Sequence, residues 1–214
     1  MTRVLITGFE PFDGAEVNPS WEAVSLVAAD RPAGLEITAV RLSCVFGTAR
    51  EELRAAIEAV GPDLALGVGQ AGGRPDITLE RVAINVDDAR VPDNAGHRPV
   101  DQPIVVGGPA AYFSTLPIKA CVAALRTAGV PASVSQTAGT YVCNHVFYGL
   151  MHHIATELPT LRGGFVHVPF APEQVVDRAA PSLPVALTAA AIRTILLTAT
   201  ATRTDLPLAA GATH

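Results

Sequence analysis

The sequence has few aromatic residues, few charged residues and no basic run, and each shortage argues against a class of function. Only 5% of its 214 residues are aromatic and 16% are charged, whereas 49% are hydrophobic. The net charge of −5 at pH 7 argues against nucleic acid or an anionic membrane surface as a partner. The composition instead indicates a compact globular protein with a sizeable core.

Long hydrophobic runs are also missing. The apolar segment at the N-terminus ends at Glu10 and Pro11, which makes it too short for a signal peptide. The most apolar later stretch, 187–200, contains Arg193 in its middle and is therefore a poor membrane span. We expect no membrane partner.

Cysteine is scarce and occurs without a CxxC pair. Three widely separated residues, Cys44, Cys121 and Cys143, are typical of reduced thiols in a cytoplasmic protein rather than of a disulfide framework. The expected location is therefore the cytoplasm.

Strand-like and helix-like segments alternate in the broad order βαβαββαβαβαα, which predicts an α/β fold. The expected arrangement is a single three-layer α/β/α domain over 1–214, with a largely parallel, mixed central sheet. A Pro- and Gly-rich loop spans 88–110, and two helices are expected after a last strand at 164–168. Ligands of such folds gather at the carboxyl ends of the strands, so we expect the site there.

Helix starts are marked by residues that can satisfy free backbone N–H groups. Asn18 followed by Pro19 is typical of an N-cap with proline in the first helical position. Thr48 and Glu51 fit the capping-box pattern, and Pro117 is expected to open a further helix.

Cys143 lies in SQTAGTYVCNHVFYGLMHH, where a strand and a small-residue loop lead into an amphipathic helix. The first turn of a helix offers free N–H groups and a partial positive charge, which stabilise a thiolate, the reactive form of cysteine. A buried structural thiol is the commoner role, and it suits Cys44 and Cys121 better. Position therefore favours Cys143 as a nucleophile.

His167, in GGFVHVPF, lies at the carboxyl end of a short apolar strand. A lone histidine among apolar neighbours is more often a satisfied core residue than a base, but a strand end favours function. The rivals are His145, His152 and His153, none of which has the spacing of a zinc site. His145 is two residues from Cys143 and should point away from it along the helix.

Glu80 lies in DITLERVAINVDD, which is expected to form one strand over 77–86. A carboxylate on an otherwise apolar strand face is unfavourable unless it is paired. A histidine is a suitable partner, because a carboxylate on one ring nitrogen fixes the tautomer and leaves the other nitrogen facing a thiol. A salt bridge with Arg81 or Arg90 is the alternative.

Gly67, Gly69 and Gly72 match the G-x-G-x-x-G pattern of dinucleotide-binding loops. The match lacks its context, because β-like sequence follows where a helix should begin. The glycines are expected instead to form a tight turn that lets a substrate approach the backbone.

Six segments together resemble one family, the pyroglutamyl peptidase I or pyrrolidone-carboxylate peptidase family of cysteine peptidases. They cover roughly residues 3 to 178, in the family's order, and read VLITGFEPFDGAEVNPSWEAV, GVGQAGGRPDITLERVAIN, DARVPDNAGHRPV, GGPAAYFSTLPIK, SQTAGTYVCNHVFYGLMHH and GGFVHVPFAPEQ. The resemblance implies a thiol hydrolase that removes N-terminal pyroglutamate from peptides and proteins through a Glu–Cys–His triad and a thioester. It implies no metal or organic cofactor, and a homo-oligomer, either dimer or tetramer.

The resemblance also assigns residues. The family's catalytic residues fall on Glu80, Cys143 and His167, with the thiol and imidazole expected as a thiolate–imidazolium pair. An oxyanion role falls on Arg90 and on the backbone N–H of Cys143. The family's lactam pocket is matched by Phe9, Phe12, Asn18, Gln70, Tyr141 and Val142. Rejection of proline, which lacks the ring carbonyl, would follow from leaving a buried donor unpaired.

Two other classes of protein stay open beside the peptidase. A catalytically silent binder of pyroglutamyl-blocked peptides would be stabilised by pyroglutamate and insensitive to thiol alkylation. A nucleotide-dependent α/β enzyme would use the turn at 67–72. The last 35 or so residues carry only a generic alanine-rich helical pattern, which supports none of the three.

Overall fold

The structure is a computed structural model that describes residues 1–211. The strands are β1 (Thr2–Phe9), β2 (Leu35–Leu42), β3 (Leu64–Gln70), β4 (Ile77–Glu80), β5 (Val82–Ile84), β6 (Ala111–Phe113), β7 (Ala132–Ser135) and β8 (Arg162–Val168). The helices are α1 (Pro19–Ala29), α2 (Thr48–Val60), α3 (Ile118–Thr127), α4 (Val142–Thr156) and α5 (Val185–Ala201), with a 3₁₀ turn at Pro172–Gln174. The expected extent of one domain, 1–214, stays a prediction, and residues 212–214 lie outside the described residues.

The central sheet has six strands in the order β2-β1-β3-β8-β4-β7. The first four run parallel to one another, β4 runs antiparallel to β8, and β7 runs parallel to β4. β5 and β6 form a separate antiparallel pair. The prediction of an α/β fold with a mixed, largely parallel sheet is confirmed.

Buried apolar side chains form a core on each face of this sheet. One core packs α1, α3 and α5 against strand residues such as Ile6 and Val68. The other packs α2 and α4 against residues such as Leu5 and Phe165. Successive residues of a strand point to opposite faces, and because both faces are covered, the central strand β3 is apolar and buried from Leu64 to Gly69. Within residues 1–211, no helix is both long and apolar enough to cross a membrane.

The expectation of one strand over 77–86 is wrong. Arg81 N–H still donates to the carbonyl of Ser135, the residue at which β7 ends. With no further partner on that side, the chain leaves the central sheet, and β5 pairs with β6 instead. Glu80 is therefore the last residue of β4.

Two expectations about helices are also wrong, while one is confirmed. Asn18 caps α1, and its side chain accepts from Ser20 N–H. The capping box at Thr48 is wrong, because Gly47 is the N-cap at a φ of 75° and Thr48 is already helical. After β8 the chain forms the 3₁₀ turn and the single helix α5 rather than two helices.

The segment that follows α5 caps the start of α3. The Asp205 carboxylate accepts from the N–H of Lys119 at 3.1 Å and from that of Ala120 at 2.9 Å. Helix α3 begins after Pro117, which provides no side-chain cap. A carboxylate 85 positions further along the chain thus satisfies first-turn donors of α3.

We expect Asp205→Ala to lower the free energy of unfolding by about 1 kcal/mol, as the loss of an N-cap does, and Asp205→Asn to lose less because its amide oxygen still accepts. Asp177 is exposed, so Asp177→Ala is the matched control and should change little. Urea unfolding followed by circular dichroism measures all three variants. Equal losses in the two alanine variants would contradict the capping role.

Candidate active site

Two buried side chains, His167 and Glu80, are hydrogen-bonded across the junction of β8 and β4. His167 Nδ1 lies 2.7 Å from Glu80 Oε1, and the two residues are 3% and 0% exposed. Thr78 is the register partner of His167, so Glu80 is its diagonal neighbour on the same sheet face. Because an ionised carboxylate only accepts, Nδ1 carries the proton and Nε2 is left to accept another.

Arg74 completes this cluster, and the sequence analysis missed it. Arg74 Nη1 lies 2.6 Å from Glu80 Oε1 and 2.6 Å from Thr78 Oγ1. Its Nη2 donates to the carbonyl of Thr137, 2.9 Å away, in the loop that leads to α4. Arg74 therefore supplies the positive charge that a buried carboxylate needs and ties β4 to the loop before Cys143.

Neither Arg81 nor Arg90, the alternative partners considered for Glu80, forms a salt bridge with it within residues 1–211. Arg81 Nη2 donates to the carbonyl of Ala210, and Arg90 is exposed. Arg74 precedes Glu80 by six residues, in the turn between β3 and β4. The sequence shows that Arg74 lies six residues before Glu80, but it does not show that the turn directs the Arg74 side chain toward Glu80.

Cys143 reaches the site from the first turn of α4. Tyr141 is the N-cap, and its side chain caps no backbone N–H, so donors in the first turn remain available. A Cβ built on Gly69 would lie 2.7 Å from Cys143 Sγ, which shows that the thiol occupies the space above this glycine. Gly69 is the register partner of His167, on a strand about 5 Å away, so the thiol lies beside the imidazole.

Burial favours the uncharged forms of both the thiol and the imidazole. Removal from water raises the pKa of Cys143, with smaller increases from Cys44 and Glu80 and a decrease from the charge of Arg74. Removal from water also lowers the pKa of His167, against the opposing hydrogen bond and charge of Glu80. Burial thus favours a neutral thiol and a neutral imidazole over the expected thiolate–imidazolium pair, which stays a prediction.

A cavity of about 230 Å³ opens beside these side chains. It suits one small residue, because pockets for drug-sized ligands begin at about 300 Å³. Larger cavities exist elsewhere, but this one has Cys143 and His167 in its wall. Five of the six residues expected in a lactam pocket line it: Phe9, Phe12, Asn18, Gln70 and Tyr141.

Among the residues expected in the lactam pocket and the oxyanion site, Val142 and Arg90 do not line the cavity. Val142 is fully buried in the core between the sheet and α4. Arg90 is exposed, in the loop that follows Asp87. The side chains of Val142 and Arg90 therefore do not contact the cavity as expected.

Aromatic rings form one wall of the cavity. The ring of Tyr141 lies 5.9 Å from that of Phe12, and it meets Phe46 edge-on at 5.4 Å. The Tyr141 hydroxyl donates to the carbonyl of Pro92 at 3.0 Å. The long loop at 88–110 therefore holds this wall in place.

The polar atoms of Asn18 are largely occupied by the backbone. Its Oδ1 accepts from the N–H and the hydroxyl of Ser20, at 3.1 and 2.8 Å. Its Nδ2 donates to the carbonyl of Glu10 at 3.0 Å. Asn18 thus shapes the cavity wall and caps α1, whereas the Gln70 NH₂ group donates to no acceptor within residues 1–211.

The three rival histidines have other partners. His145 Nδ1 lies 2.8 Å from Asp87 Oδ2, and its Nε2 accepts from Gly47 N–H. His152 bonds to a tyrosine hydroxyl and His153 to a glutamate. As helical spacing predicts, His145 does not line the cavity. Within residues 1–211, no group of His, Cys, Asp and Glu side chains could hold a metal ion.

The other two cysteines, Cys44 and Cys121, are buried, and burial raises the pKa of each to about 12, as it also raises the pKa of Cys143. Position, rather than pKa, therefore distinguishes the three thiols. Cys44 lies in the wall of the same cavity, whereas Cys121 lies in the core on the opposite sheet face. Cys121 is therefore the matched control for substitutions of Cys143.

The glycines of the G-x-G-x-x-G match allow neighbouring side chains to pack closely against the backbone. β4 follows β3 without an intervening helix, so the context of a dinucleotide loop is missing, as expected. Gly67 leaves room for the ring of Phe165, and Gly72 for the ring of Phe170. Gly69 leaves the space that the thiol of Cys143 fills.

Comparison with known proteins identifies close relatives over the whole chain. The family model described as pyroglutamyl peptidase matches residues 2–202, which continues through α5 and beyond the segments that carried the resemblance. The pyrrolidone-carboxylate peptidases of Streptomyces coelicolor and Erwinia tasmaniensis are 66% and 58% identical, over 100% of this chain and 100% of each relative.

Solved structures of pyroglutamyl peptidases have the same fold as this chain. A crystal structure of Bacillus amyloliquefaciens pyroglutamyl peptidase I has a TM-score of 0.94 and 47% identity, and covers 96% of this chain and 100% of its own. A mutant pyrrolidone carboxyl peptidase from Pyrococcus furiosus has a TM-score of 0.90 and 40% identity, over 93% of this chain and 98% of that one.

The charges around Cys143 predict opposite shifts for two variants. Because the charge of Arg74 lowers the pKa of the thiol and that of Glu80 raises it, Arg74→Met should move the pH midpoint of Cys143 alkylation upward and Glu80→Gln downward. Alkylation by iodoacetamide, followed by peptide mass spectrometry across pH, measures both. Arg31 is exposed, so Arg31→Met is the control for charge alone. Shifts of equal sign in the two variants would contradict this account.

Proposed function

Since the chain belongs to the pyroglutamyl peptidase family, we propose that it removes N-terminal pyroglutamate from peptides and proteins through a thioester. Cys143 is the nucleophile, His167 its base, and Glu80 the carboxylate that orients the base. The observation that carries this proposal is the hydrogen bond from His167 Nδ1 to the buried Glu80, beside a cavity that both His167 and Cys143 line.

The first half of the reaction forms the thioester. Cys143 Sγ attacks the carbonyl carbon of the pyroglutamyl residue while its proton passes to His167 Nε2. Glu80 stabilises the imidazolium that forms, and its hydrogen bond keeps the ring oriented. The imidazolium then gives the proton to the leaving nitrogen, the C–N bond breaks, and the shortened peptide departs as an amine.

The second half releases pyroglutamate. Water attacks the thioester carbonyl and gives a proton to His167, the C–S bond breaks, and Sγ recovers the proton as the acid leaves. In both halves the negative oxygen is placed near the first turn of α4, where the Cys143 N–H can donate to it. Arg90 is exposed, so the proposal does not use it.

The lining of the cavity supports a blocked N-terminus as its ligand. None of the described lining residues is Asp or Glu, and the charged one is Arg74. An ordinary ammonium terminus would enter this space without a counter-ion, whereas a lactam is uncharged and flat. The rings of Phe12 and Tyr141 suit such a ring.

Two further parts of the proposal come from the sequence, the location from its few unpaired cysteines and the assembly from the family resemblance. We place the protein in the cytoplasm, where its thiols stay reduced. We also propose a homo-oligomer, either a dimer or a tetramer.

The test is hydrolysis of a fluorogenic pyroglutamyl amide, with the prolyl amide as the matched substrate. Wild type and Cys121→Ala should hydrolyse the pyroglutamyl amide selectively under reducing conditions. Cys143→Ala should lose at least about a thousandfold in kcat, as nucleophile variants of other triads do. Circular dichroism shows whether each variant is folded.

Full activity in Cys143→Ala would remove the thiol from the mechanism. No hydrolysis by folded, reduced wild type would overturn the peptidase proposal. Stabilisation by pyroglutamate without turnover would then favour the silent binder, and stabilisation by NAD would favour the nucleotide-dependent enzyme.

A further inference from the structure

A second glutamine holds the side-chain amide of Gln70. Gln70 is the last residue of β3 and lines the cavity, whereas Gln174 ends the 3₁₀ turn that follows β8 and does not. Gln174 Nε2 lies 3.0 Å from Gln70 Oε1. The orientation of one amide therefore determines that of the other.

Two backbone groups set the orientation of the Gln174 amide. The N–H of Ala171 only donates, and it lies 2.9 Å from Gln174 Oε1. The carbonyl of Val17 only accepts, and it lies 3.3 Å from Gln174 Nε2. The reversed amide would set donor against donor and acceptor against acceptor, so the hydrogen-bond network assigns this orientation.

The Gln174 NH₂ group thus faces Val17 and Gln70, and Gln70 turns its oxygen toward Gln174. Gln70 lines both this cavity and a larger one of about 630 Å³ that Gln174 also lines. Because Gln174 holds the Gln70 oxygen, the Gln70 NH₂ group is the end left for the cavity that Gln174 does not line. In the part of the chain that the structure describes, Gln70 Nε2 donates to no protein acceptor, and the atom is not buried. A ligand acceptor in the cavity can therefore take this bond.

We propose that Gln174 is a positioning residue for recognition of the lactam. By holding Gln70 Oε1, it presents the Gln70 NH₂ group to the ring carbonyl, the group that distinguishes pyroglutamyl from prolyl. This inference rests on the proposed function. Reversal of the Gln70 amide would set its oxygen against the carbonyl oxygen of the ring.

Two substitutions of Gln174 test its hydrogen bond to Gln70 in different ways: one removes the bond, and the other replaces its donor with an acceptor. Gln174→Met removes all three hydrogen bonds at similar size. Gln174→Glu still accepts from Ala171 N–H but turns an acceptor toward Gln70, which should reverse the Gln70 amide. We expect Gln174→Met to weaken lactam binding roughly tenfold, the equivalent of one hydrogen bond, and Gln174→Glu to weaken it further.

The Kd of 2-pyrrolidinone, the free lactam, is measured by protection of Cys143 from iodoacetamide, and kcat and KM of the pyroglutamyl amide are measured beside it. The effect should appear mainly in KM, and the alkylation rate without lactam should stay unchanged. Exposed Gln102 gives the control variant Gln102→Met. In a Gln70→Met background, Gln174→Met should have no further effect.

A purely structural role for Gln174 would weaken binding by the same factor in the Gln70→Met background, and that result would overturn the inference. An unchanged Kd in Gln174→Met, or a wild type that binds no lactam, would also overturn it. Failure of the proposed function looks different, because wild type would then bind 2-pyrrolidinone without hydrolysing the amide.

Discussion

One buried oxygen, Glu80 Oε1, accepts hydrogen bonds from both His167 and Arg74, and the geometry of the site depends on it. A carboxylate without water needs a positive partner, and Arg74 provides one. Arg74 also holds the carbonyl of Thr137, so this ion pair connects the strand beside His167 with the loop that leads to Cys143. The proposed base, His167, and the loop before the proposed nucleophile, Cys143, are therefore held by one contact network.

The sheet topology brings Glu80, His167 and Cys143 close together. Because β4 runs antiparallel to β8, Glu80 approaches His167 diagonally across the junction rather than from a neighbouring parallel strand end. On the other side of His167, the missing side chain of Gly69 leaves the space for Cys143 Sγ. The 3₁₀ turn after β8 brings Gln174 to Gln70, so elements next to His167 hold both the proposed reactive groups and the proposed recognition group.

Local signals predicted much of this arrangement, and the rest depended on contacts between distant segments. Asn18 was identifiable as a cap, and Glu80, Cys143 and His167 stood out by residue type at a strand face, a helix start and a strand end. The break after Glu80 was not predictable, because it depends on where β7 ends. Arg74 was missed for a similar reason, since a tight turn decides its direction.

The central claim is covalent catalysis by a thiol whose base is held by a buried carboxylate. Its most direct test is rapid acid quenching of the enzyme with a pyroglutamyl 4-nitrophenyl ester, followed by peptide mass spectrometry. The account predicts a burst of one nitrophenol per active chain and a pyroglutamyl thioester on Cys143, absent from Cys143→Ala. Turnover with the acyl group on another residue, or an equal burst in Cys143→Ala, would contradict it.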